Sequence, residues 1–180
     1  KRYGLSPEDF VFGYVARMTT EKGHSVLIEG FKKFLEYDLF HKSNFHMLLA
    51  GGGVLETELK DLVKESGLDD NVIFTGRFEQ EDLVKFYSTF DAFVFPSLAE
   101  GFGLVLLEAM YAQIPILCSD LPVLKEVADD TVNYFRVGDA DDLADKMTRM
   151  YKDIVNNDFH KSESARKRVE TLFTLEKFVT

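Results

Sequence analysis

Ala92-Phe93-Val94-Phe95-Pro96-Ser97-Leu98-Ala99-Glu100-Gly101-Phe102-Gly103-Leu104-Val105-Leu106-Leu107-Glu108-Ala109-Met110 opens as an apolar run, crosses a small-residue loop and a Gly-Phe-Gly turn, and ends in an apolar helix. A short strand without polar alternation is covered on both faces, as parallel strands are. The unit recurs on either side. Apolar runs stand at Phe10–Ala16, Phe45–Ala50, Val72–Thr75, Pro115–Cys118 and Asn133–Val137, with Ala92–Pro96 the fourth of the series. Helical spacing lies between and after them: Leu27, Phe31, Phe34 and Leu35; Leu55, Leu59, Leu62 and Val63; Leu143, Met147, Met150, Tyr151 and Ile154; Ala165, Val169, Leu172 and Phe173. Asp139 or Asp141 is placed to cap the Leu143 helix, and Gly67 to end the Leu55 helix. This alternation predicts right-handed βαβ crossovers and an α/β fold, a Rossmann-like doubly wound parallel sheet of about six strands with helices on both faces.

In such sheets the ligand crevice lies beyond the carboxyl ends of the strands. Arg17-Met18-Thr19-Thr20-Glu21-Lys22-Gly23 follows the first strand. Its two cations suit a diphosphate, since Arg forks onto phosphate oxygens and Lys is a mobile point charge; a solvated loop is the plainer reading. Gly51-Gly52-Gly53 follows the second strand, where glycines admit a ligand or a neighbouring backbone, or simply turn the chain. No Gly-Lys-Ser/Thr follows, so it is not a P-loop. After the fourth strand, free N–H groups at the helix start and the helix dipole can hold a phosphate. Glu100 precedes the turn and Glu108 lies about two helical turns further on, a spacing suited to a ligand with two polar ends. Glu108 sits among Leu106, Leu107, Ala109 and Met110, so it must be paired or face solvent.

Composition narrows the function classes. The 180 residues are 46% hydrophobic and 29% charged, ordinary for one soluble domain, and the net charge of −10 supplies no basic stripe for nucleic acid. The single cysteine, Cys118, excludes an intrachain disulfide and a Cys-based zinc site; at the end of an apolar strand it reads as a small buried hydrophobe. His41 and His46 flank a strand start without a carboxylate at ligand spacing, and His24 and His160 likewise suggest surface or packing roles, so no metal is expected. The 17 Phe are expected mainly in the core, with Phe78 the one placed to stack on a base. No apolar run approaches a membrane span and no secretory signal is present. A start at Lys1 and an end at Thr180 within a helical pattern suggest a domain cut from a longer chain.

The loops together resemble the C-terminal domain of the family-4 retaining glycosyltransferases of the GT-B fold. Four landmarks, covering nearly the whole chain, carry the resemblance in order. They are Arg17 with Lys22-Gly23; Leu49-Ala50-Gly51-Gly52-Gly53; Val72-Ile73-Phe74-Thr75-Gly76-Arg77-Phe78; and Pro96-Ser97 running into Glu100-Gly101-Phe102-Gly103 and Glu108-Ala109-Met110, which is similar to the family's Glu-x7-Glu motif. Two departures stand out. Ala16 occupies the family's usual Gly before the Arg, and Gln113-Ile114 replaces a common Gly-Thr ahead of Pro115.

The resemblance implies a donor site for a nucleoside-diphosphate sugar, UDP- or GDP-linked, with no further cofactor and no metal. Arg17 and Lys22 would grip the diphosphate and Glu100 the sugar hydroxyls. Glu108 would take the ribose, the backbone amides of Phe102, Gly103, Leu104 and Val105 the phosphate, and the Arg77-Phe78 region the base, with Gly52 beside them. It also implies an acceptor-binding N-terminal domain as partner, a hexosyl group transferred with retention, no transfer by residues 1–180 alone, and a cytoplasmic protein, membrane-peripheral through that other domain. Three other classes are weighed against it: a non-catalytic nucleotide-sugar-binding regulatory module, an epimerase on the same fold, and a receiver-like interaction domain. Intact Arg17, Lys22, Glu100 and Glu108 disfavour the first. The loops lack the extra carboxylate and His bases of the second and the acidic cluster of the third.

Overall fold

The computed structural model describes residues 2–37, 44–158 and 160–173. Six strands, β1 (Phe10–Val15), β2 (Phe45–Ala50), β3 (Val72–Gly76), β4 (Ala92–Phe95), β5 (Ile116–Ser119) and β6 (Asn133–Phe135), form one sheet in the order β3-β2-β1-β4-β5-β6. Every pairing between them is parallel. Each strand lies within about two residues of its predicted position, and β1, β2, β4 and β5 are buried almost throughout, which is why their sequences lack alternation. The chain builds outward from β1 to β3 and then returns to the other side of β1 with β4. That reversal leaves a crevice where the loops after β1 and β4 diverge.

The helices are α1 (His24–Glu36), α2 (Glu56–Glu65), α3 (Leu83–Tyr87), α4 (Leu104–Tyr111), α5 (Pro122–Ala128), α6 (Ala140–Val155) and α7 (Lys161–Leu172). α1 packs on α2 and α6, and α4 on α5 and α7. Gly30 lets α1 approach α6, where an added Cβ would lie 2.7 Å from Leu143 Cδ2. Phe12, Phe31, Phe34, Phe93, Phe95 and Phe135 are fully buried, and Phe12 meets Phe34 edge-on at 5.2 Å. Asp139 rather than Asp141 caps α6, accepting the Asp142 N–H at 2.9 Å. Gly67 closes α2 in a left-handed conformation, with Gly67 N–H on the Lys64 carbonyl and Leu68 N–H on Val63. The short α3 and α5 have no counterpart in the periodicity, because five and seven residues complete too few turns to display it.

The departure at Gln113 acquires a physical reading. Gln113 follows the last turn of α4 at φ +59, and its N–H and that of Ile114 return to Met110 and Ala109. Glycine enters this conformation without the Cβ penalty. Gln113→Gly is therefore expected to raise folding stability by about 1 kcal/mol, read as a higher urea midpoint. Ala16 is not in the left-handed region; its N–H donates to the Ala50 carbonyl at 3.0 Å, so alanine fits without strain. Cys118 is fully buried, and burial pushes its thiol pKa well up, in keeping with a packing role.

Candidate functional site

The loops after β1 and β2 are joined by main chain. Met18 N–H donates to the Gly52 carbonyl at 3.1 Å, and Leu55 N–H to the Met18 carbonyl at 3.2 Å. A Cβ on Gly51, which has φ +134, would stand 2.0 Å from the Ala16 carbonyl oxygen, and one on Gly53 2.4 Å from that of Met18. Two of the three glycines thus admit the neighbouring backbone. At Gly52 an added Cβ would meet only the Arg77 and Glu56 side chains.

These loops wall a cavity of about 640 Å³, lined by Val15–Arg17, Thr19, Gly51–Val54, Arg77, Phe78 and Val105. Its charged lining residues are Arg17 and Arg77, both exposed and neither paired with a carboxylate among the described residues. In an acidic chain this is a local concentration of positive charge with two guanidinium forks. Phe78 packs edge-on against Phe86 at 4.9 Å, which leaves it half-buried and steady as a wall.

Lys22 and Glu100 stand apart from that lining, as a pair. The loop after β4 is tied to the β1 loop by Leu98 N–H on the Glu21 carbonyl at 2.8 Å, and a Cβ on Gly23 would reach within 2.0 Å of the Pro96 carbonyl oxygen. That closeness brings the Lys22 ammonium to 2.7 Å from Glu100 Oε2, with both side chains largely covered. The buried Ser97 hydroxyl lies 3.4 Å from the same oxygen. Beneath them Tyr14 is fully buried and donates to the Lys22 carbonyl at 2.9 Å, and its phenol pKa is raised by burial. His24 packs on the Tyr14 ring at 4.9 Å; burial first, and then the Lys22 charge, lower its pKa to about 4, so it is neutral at physiological pH.

Gly103, at φ +86, precedes α4. Its carbonyl accepts from Leu106 and Leu107, whereas the N–H groups of Gly103, Leu104 and Val105 have no acceptor among the described residues. They are the open donors of a helix start. The helix begins at Leu104, after the Glu100 loop, and Glu108 lies about one turn inside it. Glu108 is exposed, and its carboxylate accepts the Tyr87 hydroxyl at 2.7 Å. Tyr14 and Tyr87 carry no signal in the sequence; their bonds cross 8 and 21 residues, and only the fold shows which partners they meet.

Elsewhere the histidines take packing or surface positions. His46 Nε2 lies 3.4 Å from Asp9, exposed His160 pairs with Asp158, and His41 lies outside the described residues. No three His, Cys, Asp or Glu side chains converge among the described residues, and no helix among them is long and apolar enough to cross a membrane.

The family model for glycosyl transferases group 1 matches residues 1–168. The O-antigen biosynthesis glycosyltransferase WclY of Escherichia coli is 28% identical over 180 residues, covering 100% of this chain and 47% of that protein. The chain thus spans about half the length of the curated relative it matches end to end. Sucrose-phosphate synthase from Thermosynechococcus elongatus superposes with a TM-score of 0.83 at 28% identity, over 96% of this chain and 43% of that one. HepE of Anabaena, solved in complex with UDP, shares the fold with a TM-score of 0.77 at 20% identity, over 91% of this chain and 44% of its own. With its family model matched over almost its full length, the chain belongs to the group 1 glycosyl transferases.

Proposed function

We propose that residues 1–180 form the donor-binding half of a retaining hexosyltransferase, and that the cavity between Arg17 and Arg77 takes the diphosphate of a UDP- or GDP-linked sugar. The observation that carries this reading is the charge of that cavity: two guanidinium groups unpaired among the described residues, with no carboxylate in its lining. HepE, with the same fold, was solved with UDP bound.

In this reading the N–H groups of Gly103, Leu104 and Val105, open among the described residues, receive phosphate oxygens together with the neighbouring Phe102 N–H. Phe78 forms the wall for the base, and Gly52 leaves room beside Arg77. Glu100 accepts from the sugar hydroxyls with one oxygen while the other holds Lys22. The ammonium has three donors, so a Lys22 held by Glu100 still reaches a phosphate. The chemical step is a same-face displacement. The bond from the anomeric carbon to the diphosphate breaks, the acceptor oxygen bonds to that carbon, and the departing phosphate takes the acceptor's proton. What the protein supplies is preorganised positive charge where negative charge grows. The acceptor comes from an N-terminal domain of a longer cytoplasmic protein, and residues 1–180 alone transfer no sugar.

Calorimetric titration of the chain with UDP, GDP and ADP tests the assignment and names the base. One of the first two is expected to saturate a single site. Absence of binding by all three would overturn the reading.

A further inference from the structure

Tyr87 reaches Glu108 from a separate element. It lies at the end of α3, buried against Phe90 and Phe93, while Glu108 is exposed on α4. The phenol donates to Glu108 Oε2 at 2.7 Å and stands 3.4 Å from the Val105 carbonyl. Val105 lines the cavity, and three residues along a helix Glu108 shares its face. Among the described residues no ammonium or guanidinium reaches Glu108, so this phenol is what orders the carboxylate.

The chemistry of the pair is directional. An ionised carboxylate only accepts, and it has about four lone-pair positions on its two oxygens. With one of them taken by Tyr87, Oε1 and the remaining position on Oε2 are left to accept two hydroxyls on adjacent carbons. Burial, and then the Glu108 charge, raise the Tyr87 phenol pKa, so the group stays a proton donor at any working pH.

We propose that Tyr87 is a positioning residue that holds Glu108 for recognition of the ribose diol, and so sets the preference of the site for ribonucleotides over 2′-deoxyribonucleotides. The inference rests on the donor-site reading above. The test compares the affinities of UDP and GDP with those of dUDP and dGDP, for the unsubstituted chain and for Tyr87→Phe. A hydrogen bond to a charged acceptor corresponds to a preference of about ten- to a hundredfold for the ribonucleotide. Tyr87→Phe keeps the ring between Phe90 and Phe93 and is expected to reduce that preference to about threefold or less, with the affinity for the deoxynucleotide, which keeps its 3′-hydroxyl, falling less than that for the ribonucleotide. In a Glu108→Ala background the same substitution is expected to have no further effect, because Tyr87 acts through Glu108.

A Tyr87→Phe protein that keeps the full preference overturns the role of Tyr87 and leaves the donor site standing. A native chain that binds both nucleotides equally removes the ribose from Glu108, and the proposal with it. A chain that binds no nucleotide overturns both. If Tyr87→Phe did not fold, ring-labelled tyrosine NMR of the native chain reads the same link. The Tyr87 signal should move more with the ribonucleotide than with its deoxy counterpart, and equal movement would contradict the proposal.

Discussion

Gly51→Ala is expected to cost about 3–5 kcal/mol of folding stability, whereas Gly52→Ala costs about 1 kcal/mol or less. The two positions are adjacent and chemically alike, so composition gives no reason for the contrast. At Gly51 two penalties combine. The backbone lies at φ +134, where a side chain is strained, and the new Cβ would stand 2.0 Å from the Ala16 carbonyl oxygen. That oxygen belongs to main chain leaving β1 and cannot swing away. At Gly52 φ is unexceptional and the nearest atom is Arg77 Cγ at 2.9 Å, on a flexible side chain at the surface. Against a typical domain stability of about 5–15 kcal/mol, the first change is a large fraction of the whole. Urea denaturation of the two variants measures the difference. Equal losses would mean that the β1 and β2 loops are not packed as described.

His24 gives the second large effect, through pH. Its pKa falls from 6.5 to about 4 on folding, so between those values the unfolded chain binds a proton that the folded chain refuses. Stability from this group is complete above about pH 6.5 and is lost as pH falls towards 4. The span corresponds to about 3 kcal/mol. Carboxylates titrate over part of the same range, so the measurement is a difference. The stability of the native chain relative to His24→Phe should fall by about 2–3 kcal/mol between pH 7 and pH 4.5. The phenyl ring keeps the contact with Tyr14 and removes the buried Nδ1, which has no hydrogen-bond partner among the described residues. A difference independent of pH would show that His24 takes up its proton as readily folded as unfolded.

Much of this was legible before the structure, for identifiable reasons. Parallel strands buried on both faces leave unbroken apolar runs, so β1, β2, β4 and β5 could be read directly. Long helices such as α6, with Leu143, Met147 and Met150 buried along one face, declare their period. The loops that follow the strands were legible in turn, because a doubly wound sheet gathers them at one edge. What sequence could not supply was which loop meets which. The Lys22–Glu100 pair spans 78 residues, and spacing alone presents the two as separate grips on the ligand. The positive cavity contains Arg17 and Arg77, from landmarks 60 residues apart, while Lys22 is turned to a carboxylate. Tyr87 belongs to a five-residue helix too short to show a period, and its hydrogen bond to Glu108 had no signal in the spacing. Glycine roles were likewise undecided between ligand and backbone, and only the short distances at Gly51 and Gly53 resolve them.

The central claim is that the cavity between Arg17 and Arg77 recognises a diphosphate. Its most direct test is a titration of the native chain and Arg17→Ala with UDP, UMP, GDP and GMP. For the native chain the account predicts that the diphosphate of the preferred base binds about ten- to a hundredfold more tightly than its monophosphate, and that Arg17→Ala removes most of that advantage. Equal affinity for mono- and diphosphate, or a diphosphate advantage that survives Arg17→Ala, would contradict it.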